Sequence, residues 1–334
     1  MNKSEYKNVF VFAEQRNGEI QGVAFELLGK ARDLAKDLQE EVYAILLGGN
    51  DVEKKAQRLI AYGADKVIVA SCPFLKDYTT EAYSQAITQI VNTYKPSVIL
   101  LGATVIGRDL GPRLSARLTT GLTADCTRLE ISEERELLMT RPAFGGNLMA
   151  TIVCSDHRPQ MSTVRPGVMK SMDMDETRQG VIEKITINFD ESKFKVRIIE
   201  TVKEQTSMVD ITEAKVLLCG GRGIGTDQGF ENLKDLAKLM NAEVAASRAI
   251  VDAGLIGHER QVGQTGKTVR PDLYIGFGIS GAIQHMAGME ESEFIVAINK
   301  DRYAPIMQMA DLGIVGDVKQ IIPALTQRLK SIKK

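Results

Sequence analysis

The chain has 334 residues, and 42 basic against 43 acidic side chains give a formal net charge of −1. This length predicts two domains of roughly 150 residues, each large enough to bury a core. Because nucleic-acid binding requires a concentrated basic surface, the balanced charge argues against nucleic acid as the main partner. No apolar run approaches the roughly 18 residues of a membrane span, and the first residues contain no apolar signal region, so we expect a cytoplasmic protein without a membrane span.

The cysteines and histidines are too few and too scattered to indicate a metal site. The four cysteines lie at positions 72, 126, 154 and 219, and the three histidines at 157, 258 and 285. No two cysteines have the CxxC spacing of a zinc or disulfide motif. We therefore predict reduced thiols packed as small apolar side chains, and no bound metal.

Short apolar runs alternate with helical patterns through the first third of the chain. The predicted strands are 9–13, 42–47, 66–70 and 98–101, and the predicted helices are 20–39, 52–61, 79–94 and 107–118. Continuous apolar strands separated by helices are typical of a parallel sheet covered by helices on both faces.

The pattern changes between about 123 and 200, where short apolar segments alternate with turn residues. We predict strands at 137–139, 149–153 and 196–199, either added to the first sheet or lying beside it. The polar stretch 200–213 predicts a linker between domains. We accordingly assign residues 1–205 to the first domain and 206–334 to the second, and expect the second to move as a body about this linker.

A second series of strands and helices follows the linker. Its predicted strands are 216–219, 243–246, 273–277, 294–298 and 312–315, and its predicted helices are 227–240, one from about 281, and 318–330. The fold class is therefore α/β, with two domains built on parallel sheets. Ligands of such sheets bind at the carboxyl ends of the strands, so the residues just after each strand are the candidate site.

A glycine-rich loop, 220–225, follows the first strand of the second domain. It does not fit the dinucleotide pattern GxGxxG, because Thr226 stands where the third glycine would be. Two interpretations stay open at this point. The glycines provide a tight turn with positive φ, or the exposed amides around Arg222 bind an anion.

Residues 263–268 resemble the phosphate loop of nucleotide hydrolases, but that motif does not fit. Gln261 stands where the motif needs its first glycine, and the following residues lead into a strand rather than a helix. A nucleotide hydrolase is therefore not expected.

The segment 278–282 resembles a nucleophile elbow but lacks the GxSxG spacing, and no nearby carboxylate would orient His285. We predict instead a turn from strand to helix. Ser280 would cap the helix, and the free amides of Gly281 and Ala282 would face an anion. His285, one turn inside the helix, would point towards the same ligand.

Polar side chains also follow the remaining strands of the second domain. These residues are Ser247, Arg248, Asn299 and Asp317. Together with the two loops above, they would contact one extended ligand that carries phosphate. The set contains no pair of catalytic carboxylates and no activated thiol, so it predicts binding rather than catalysis, with no catalytic residue.

The motifs of the second domain resemble those of the electron-transfer flavoprotein alpha subunits. The blocks that carry the resemblance are GGRGIG (220–225), ASRAIVDAG (246–254), QVGQTGKTVRPDLYIGFGISGAIQH (261–285), VAIN (296–299) and ADLGIVGD (310–317). In the first domain they are LGATVIGRDLGPRLSARL (101–118) and RPAFGGNLMATIV (141–153). The resemblance therefore covers nearly the whole chain.

This resemblance implies an electron carrier that binds FAD and is not an enzyme on its own. It implies a three-layer, FAD-binding second domain and a heterodimer with a beta subunit, for which the first domain would be the scaffold. The partner would be an acyl-CoA dehydrogenase or a similar flavin dehydrogenase. Flavin would perform the redox chemistry, while the protein sets its potential and its access.

Position by position, the resemblance implies contacts along the whole of FAD. The residues implied at the phosphate groups are Arg222, Ser280, Gly281, Ala282, Ile283 and Gln284. Those implied at the isoalloxazine ring are Ser247, Arg248, Val262, Gly263 and Gln264, with Thr265 near N5 and His285 on the pyrimidine side. Asn299 would hold the ribityl-phosphate region, and Asp317 and Val318 would lie at the adenosine end.

Two alternatives accompany this interpretation. In the first, the chain is a subunit of an electron-bifurcating complex that oxidises NADH and reduces ferredoxin and an enoyl-CoA. The features that separate it from a simple carrier lie largely in the beta subunit, so this chain does not decide between them. In the second, the chain is a nucleotide-binding regulator without redox activity.

Overall fold

The computed structural model of the protein describes residues 2–143, 148–200 and 210–332. The chain divides into two compact units, Met1–Lys203 and Glu204–Lys334. The predicted boundary between 205 and 206, and most of the predicted linker, lie outside the described residues. The linker was predicted to extend too far. Residues 211–213 form a turn of the second unit, and Ile211 is buried in its core.

The first unit contains twelve strands and four α-helices within the described residues. The strands are β1 (Val9–Phe12), β2 (Gln15–Arg16), β3 (Glu19–Ile20), β4 (Val42–Gly48), β5 (Lys66–Ser71), β6 (Val98–Gly102), β7 (Leu122–Cys126), β8 (Arg128–Ile131), β9 (Leu137–Ala143), β10 (Leu148–Ile152), β11 (Gln160–Val164) and β12 (Val181–Lys184). The helices are α1 (Gly22–Leu38), α2 (Ala56–Ala61), α3 (Thr80–Tyr94) and α4 (Val105–Leu118).

Seven of these strands form one parallel sheet in the order β12-β5-β4-β1-β6-β11-β7. Val9 on the central strand β1 pairs with Val42 on β4 and Val98 on β6. The apolar faces of α1 and α2 pack on one side of the sheet, and those of α3 and α4 pack on the other. The predicted parallel sheet with helices on both faces is confirmed.

The middle of the chain contributes to two different sheets. β8, β9 and β10 form a separate antiparallel sheet, whereas β11 enters the large sheet between β6 and β7. The strand predicted at 196–199 is wrong. Those residues pair with no strand in the described part of the chain, and Val196 and Ile199 are exposed. They therefore lack both the inter-strand hydrogen bonds and the burial that stabilise a strand.

The second unit contains five strands and five α-helices within residues 210–332. The strands are β13 (Val216–Gly220), β14 (Glu243–Ala246), β15 (Leu273–Phe277), β16 (Ile295–Asn299) and β17 (Leu312–Val315). The helices are α5 (Asp227–Met240), α6 (Arg248–Val251), α7 (Ile283–Met286), α8 (Pro305–Met309) and α9 (Val318–Ile332).

The five strands form a parallel sheet in the order β14-β13-β15-β16-β17. The long helices α5 and α9 pack on one face. The other face is covered by short elements, including α8 and the segment around Val262 and Val269. The predicted two-domain α/β fold with a three-layer second domain is confirmed. Strand order reverses between β13 and β15, and in open α/β sheets this reversal opens a ligand crevice at the carboxyl ends.

The helix predicted from about 281 is a single turn, and Ser280 does not cap it. Ala282 is the residue before α7, and its side chain makes no capping bond. Gly281 has φ +86, which turns the chain sharply, and the Ser280 carbonyl accepts a hydrogen bond from the Ile306 amide at 3.2 Å. The turn is thus tied to the start of α8 instead of continuing a helix from Ser280.

Candidate functional site

Two glycine loops meet backbone to backbone where the strand order reverses. The Gly221 amide donates to the Phe277 carbonyl at 2.8 Å, and the Gly223 amide donates to the Gly278 carbonyl at 3.1 Å. A Cβ atom added to Gly223 would lie 2.7 Å from the Gly278 Cα, a distance that real Cβ atoms do not tolerate. The loops after β13 and β15 therefore approach this closely only because both are glycine.

The turn after β15 presents unpaired backbone amides. Within the described residues, none of the N–H groups of residues 280–283 donates a hydrogen bond. Consecutive amides in a turn that contains a residue with positive φ form a concavity that binds anions. Arg222, exposed on the neighbouring loop, adds a full positive charge to this edge of the sheet. The donor set fits the phosphate groups of a dinucleotide such as FAD.

The segment 262–265 runs from the end of β14 to α7. The Val262 amide donates to the Ala246 carbonyl at 3.0 Å, and the Gln264 amide donates to the Gln284 carbonyl at 2.7 Å. Gly263 has φ +141, and a Cβ there would lie 2.9 Å from the Gln284 carbonyl oxygen. The segment is thus held by backbone contacts at both ends, with Gln264 exposed between them.

Three further predicted residues lie on the same carboxyl edge. The Thr265 hydroxyl accepts a hydrogen bond from the Gln261 side-chain amide at 3.0 Å. The Ser247 amide donates to the last carbonyl of β13 at 3.0 Å. Arg248, the first residue of α6, has its Nε 3.4 Å from an Asp252 carboxylate oxygen, and both side chains are exposed. Sequence reasoning placed these residues correctly after β14 and in the loop beyond it.

His285, which was predicted to point towards the ligand, is largely buried. Only 7% of the residue is exposed. Its Nε2 lies 2.7 Å from the Tyr274 hydroxyl and its Nδ1 lies 3.1 Å from the Val262 carbonyl oxygen. Burial lowers the pKa of the imidazole to about 4, so the ring is neutral at physiological pH.

Asn299, Asp317 and Val318 lie at the far end of the same edge. The Asn299 side-chain amide donates to the Ile279 carbonyl at 2.7 Å, which links the end of β16 to the turn after β15. Asp317 pairs with Lys300 at 3.0 Å, and that contact holds the pKa of the carboxyl below its usual range. Val318 packs its side chain into the core, so its backbone alone faces the edge.

Of the sixteen predicted residues, Val262, His285 and Val318 have buried side chains. Gly263 and Gly281 are buried too, and the other eleven are exposed or half-buried. Sequence reasoning missed Tyr274 and Gln261 as supports of the site. Tyr274 carried a signal, since its hydroxyl interrupts an otherwise apolar strand and needs a buried partner.

In the part of the chain that the structure describes, no three His, Cys, Asp or Glu side chains converge as metal ligands. Among the same residues, no helix is both long enough and apolar enough to cross a bilayer.

Two family models match the two units in turn. The model described as "Electron transfer flavoprotein domain" matches residues 9–190, and the one described as "Electron transfer flavoprotein FAD-binding domain" matches residues 210–290. The second match contains both glycine loops, the 262–265 segment and the amide turn described above.

Curated relatives match over almost the whole chain. "Electron transfer flavoprotein subunit alpha" of Clostridium acetobutylicum is 53% identical, covering 99% of each chain. "Acryloyl-CoA reductase electron transfer subunit beta" of Anaerotignum propionicum is 45% identical and covers 99% of this chain and 97% of the relative. "Lactate dehydrogenase (NAD(+),ferredoxin) subunit LctC" of Acetobacterium woodii is 41% identical and covers 97% of this chain and 77% of the relative. The chain therefore belongs to the electron transfer flavoprotein family, as an alpha subunit that transfers electrons with FAD as its cofactor and is not a catalytic enzyme on its own.

Proposed function

We propose that this chain, paired with a beta subunit, carries electrons between a donor and a partner flavin dehydrogenase such as an acyl-CoA dehydrogenase. When bound, FAD supplies the chemistry, because it accepts and returns one or two electrons. The protein's part is to hold the cofactor, to set the charge around it and to control access to it.

The unpaired amides of residues 280–283 are the observation that carries this proposal. They lie beside the Gly223–Gly278 contact at the reversal of strand order, where a parallel sheet binds an extended ligand. With Arg222, they would hold the phosphate groups. The ring would then lie along the 262–265 segment, with the Arg248 guanidinium nearby.

The first unit supports a role as scaffold for the beta subunit. The edge strand β10 exposes a group of apolar side chains that extends one residue beyond its end, namely Leu148, Met149, Ile152 and Val153. Exposed apolar groups of this kind are typical of protein–protein interfaces. We therefore place the beta-subunit contact on the β8–β9–β10 sheet.

Electron transfer between purified proteins tests the proposal. The chain would be co-purified with its beta subunit and mixed under anaerobic conditions with a substrate-reduced acyl-CoA dehydrogenase, while flavin absorbance is followed by stopped flow. We expect the absorbance of oxidised flavin in the complex to be lost as fast as the dehydrogenase is reoxidised. A complex that stays oxidised with every flavin dehydrogenase of the source organism would contradict the proposal.

A second candidate function is a subunit of an NADH-oxidising, electron-bifurcating complex. The names of two relatives favour it, since one refers to NAD(+) and ferredoxin and the other to acryloyl-CoA reductase. Titration of the co-purified complex with NADH separates the two functions. Rapid reduction by NADH, with two FAD per complex, would favour bifurcation, whereas a complex that NADH does not reduce would be a simple carrier.

A further inference from the structure

Gln261 is a buried polar side chain immediately before the 262–265 segment. Only 2% of the residue is exposed. Its backbone is fixed on both sides, because its amide donates to the His258 carbonyl at 3.0 Å and its carbonyl accepts from the Lys267 amide at 2.7 Å. Gln261 also forms a parallel bridge with Ala246, the last residue of β14. The side chain therefore starts from a rigid position at the carboxyl edge of the sheet.

The Gln261 side chain bonds to the only hydroxyl of this segment. Its Nε2 donates a hydrogen bond to the Thr265 Oγ1 at 3.0 Å. The chain between them is a tight turn, in which the Gly266 amide donates to the Gly263 carbonyl at 3.0 Å. A Cβ on Gly266 would lie 2.4 Å from the Gln261 carbonyl oxygen, so the turn has no room to spread. Backbone contacts thus hold the two side chains within bonding distance.

The direction of this hydrogen bond leaves the hydroxyl proton of Thr265 available. A threonine hydroxyl has one proton to donate and two lone pairs that accept. One lone pair takes the N–H of Gln261, and among the residues that the structure describes the hydroxyl donates to no protein group. Gln261 is buried whereas Thr265 is exposed, so the free proton lies on the open side of the segment.

We infer that Gln261 is a positioning residue, which holds the Thr265 hydroxyl so that its proton is presented to the flavin ring. The inference rests on the proposed function, because that proposal lays the ring along the 262–265 segment. Flavin rings accept hydrogen bonds at ring nitrogens and carbonyl oxygens. A hydroxyl whose donor direction is already fixed binds such an atom with less loss of conformational entropy than one that rotates freely.

A double-mutant cycle tests whether Gln261 acts through Thr265. Gln261→Met has a similar volume but no donor, and Thr265→Val replaces the hydroxyl by a methyl group. In the complex with the beta subunit, we expect Gln261→Met to weaken FAD binding about fivefold, the effect of one neutral hydrogen bond. We expect it also to shift the midpoint potential in the same direction as Thr265→Val. In the Thr265→Val background, Gln261→Met should change neither quantity further.

Thr265→Ser is the matched control. It keeps the hydroxyl, so the effects of Gln261→Met on FAD affinity and midpoint potential should reappear in that background.

Three results would overturn the inference. Wild-type affinity and potential in Gln261→Met would mean that the amide positions nothing. An effect of Gln261→Met that is equally large in the Thr265→Val background would mean that Gln261 acts through another group. Lower affinity with an unchanged midpoint potential would show a merely structural role.

The position of the proton can also be measured in the wild-type complex, without any variant. In a neutron crystal structure with FAD bound, the Gln261 Nε2 should face the Thr265 Oγ1, and the hydroxyl deuterium should point towards the ring. A hydroxyl deuterium on the line to Gln261 would contradict the inference. A wild-type complex that contains no FAD would instead reject the proposed function. Urea unfolding of the four proteins of the cycle would then still measure the coupling between the two side chains, and additive losses in the free energy of unfolding would overturn the inference.

Discussion

Arg248 is held only weakly by its neighbours. Its side chain is 69% exposed, and the pair with Asp252 spans 3.4 Å between two exposed groups. Exposed pairs of this kind contribute about 0–1 kcal/mol, so the guanidinium is available to a ligand at the end of β14. Arginine suits a site where negative charge appears, because it stays protonated at any working pH.

We therefore predict that Arg248→Ala lowers the first midpoint potential of the FAD-loaded complex. One charge pair at about 4 Å and an effective dielectric near 20 is worth up to ~4 kcal/mol, or ~170 mV for one electron. Solvent reduces this bound, so we expect the midpoint potential to fall by several tens of millivolts in Arg248→Ala. In Arg248→Lys the fall should be smaller, because the charge is kept. Asp252→Ala is the control and should not lower the potential. A potentiometric titration that finds Arg248→Ala unshifted, with FAD still bound, would refute this role.

The buried His285 makes the stability of the protein depend on pH. Its pKa falls from 6.5 in the unfolded chain to about 4 in the folded one, so below 6.5 the unfolded chain binds a proton that the folded chain excludes. Stability is therefore complete above pH 6.5 and is lost as the pH falls towards 4. With 1.36 kcal/mol for each pKa unit, the loss reaches roughly 3 kcal/mol. Urea unfolding of wild type and His285→Asn between pH 6.5 and 4 tests this. The free energy of unfolding of the variant should fall less steeply with pH, because it lacks the histidine.

At the scale of elements, the sequence pattern predicts the strands and helices that repeat regularly, and it fails where pairing depends on distant residues. The parallel strands β1, β4, β5 and β6 are continuous apolar runs, so their burial is visible from composition alone. By contrast, β11 carries Gln160, Ser162 and Thr163 and is buried only because it enters the sheet between β6 and β7. Its partners come from elsewhere in the chain, which no local pattern reveals.

In the candidate site, too, local sequence predicts some features, and others depend on distant residues. Residues after each strand could be placed from the sequence, because parallel strands share one carboxyl edge. The environment of His285 could not be placed, since it depends on Tyr274 eleven residues earlier and on Val262 in a separate loop. The length of α7 could not be predicted either, because the helix ends after one turn where Gly288 packs against Gly263. The family and cofactor that the motifs implied are confirmed by the matches to both units.

The close contact between the two glycine loops predicts that a larger residue at position 223 weakens FAD binding. In Gly223→Ala, the new Cβ would meet the Gly278 Cα at 2.7 Å, so the loops must separate. Overpacking of this kind costs about 1–3 kcal/mol, and we expect FAD affinity to fall about tenfold. Gly22→Ala is the control, because no atom lies within 4 Å of the added Cβ there. Equal FAD affinity in both variants, measured by equilibrium dialysis, would show that the loop contact does not shape the site.

At the level of the whole molecule, the edge strand β10 of the first unit exposes apolar side chains. Leu148 and Met149 on β10 are 53% and 52% exposed. Unpaired edge strands with apolar side chains associate readily with other chains. We expect the chain purified without its beta subunit to associate or aggregate.

Substitution of this edge tests the assignment. Leu148→Ser combined with Met149→Ser should lower association of the isolated chain with itself and weaken its affinity for the beta subunit at least about tenfold, since two apolar side chains of ~1.5 kcal/mol each lose their burial. Ile332→Ser, in the last turn of α9, is the control with a similarly exposed apolar residue. Analytical ultracentrifugation and titration calorimetry measure both effects. A double variant that binds the beta subunit as tightly as the control would place the interface elsewhere.

We propose that the carboxyl edge of the second unit holds FAD through the amide turn at 280–283 and Arg222. The most direct test is the cofactor extracted from the chain co-purified with its beta subunit, in wild type and in Arg222→Ala. We expect FAD, identified by mass spectrometry, in the wild-type complex, and at least about tenfold weaker retention in the variant, because a charge-assisted hydrogen bond to phosphate is worth about 1.5–3 kcal/mol. Extraction of FMN alone, or FAD retained equally in both proteins, would contradict it.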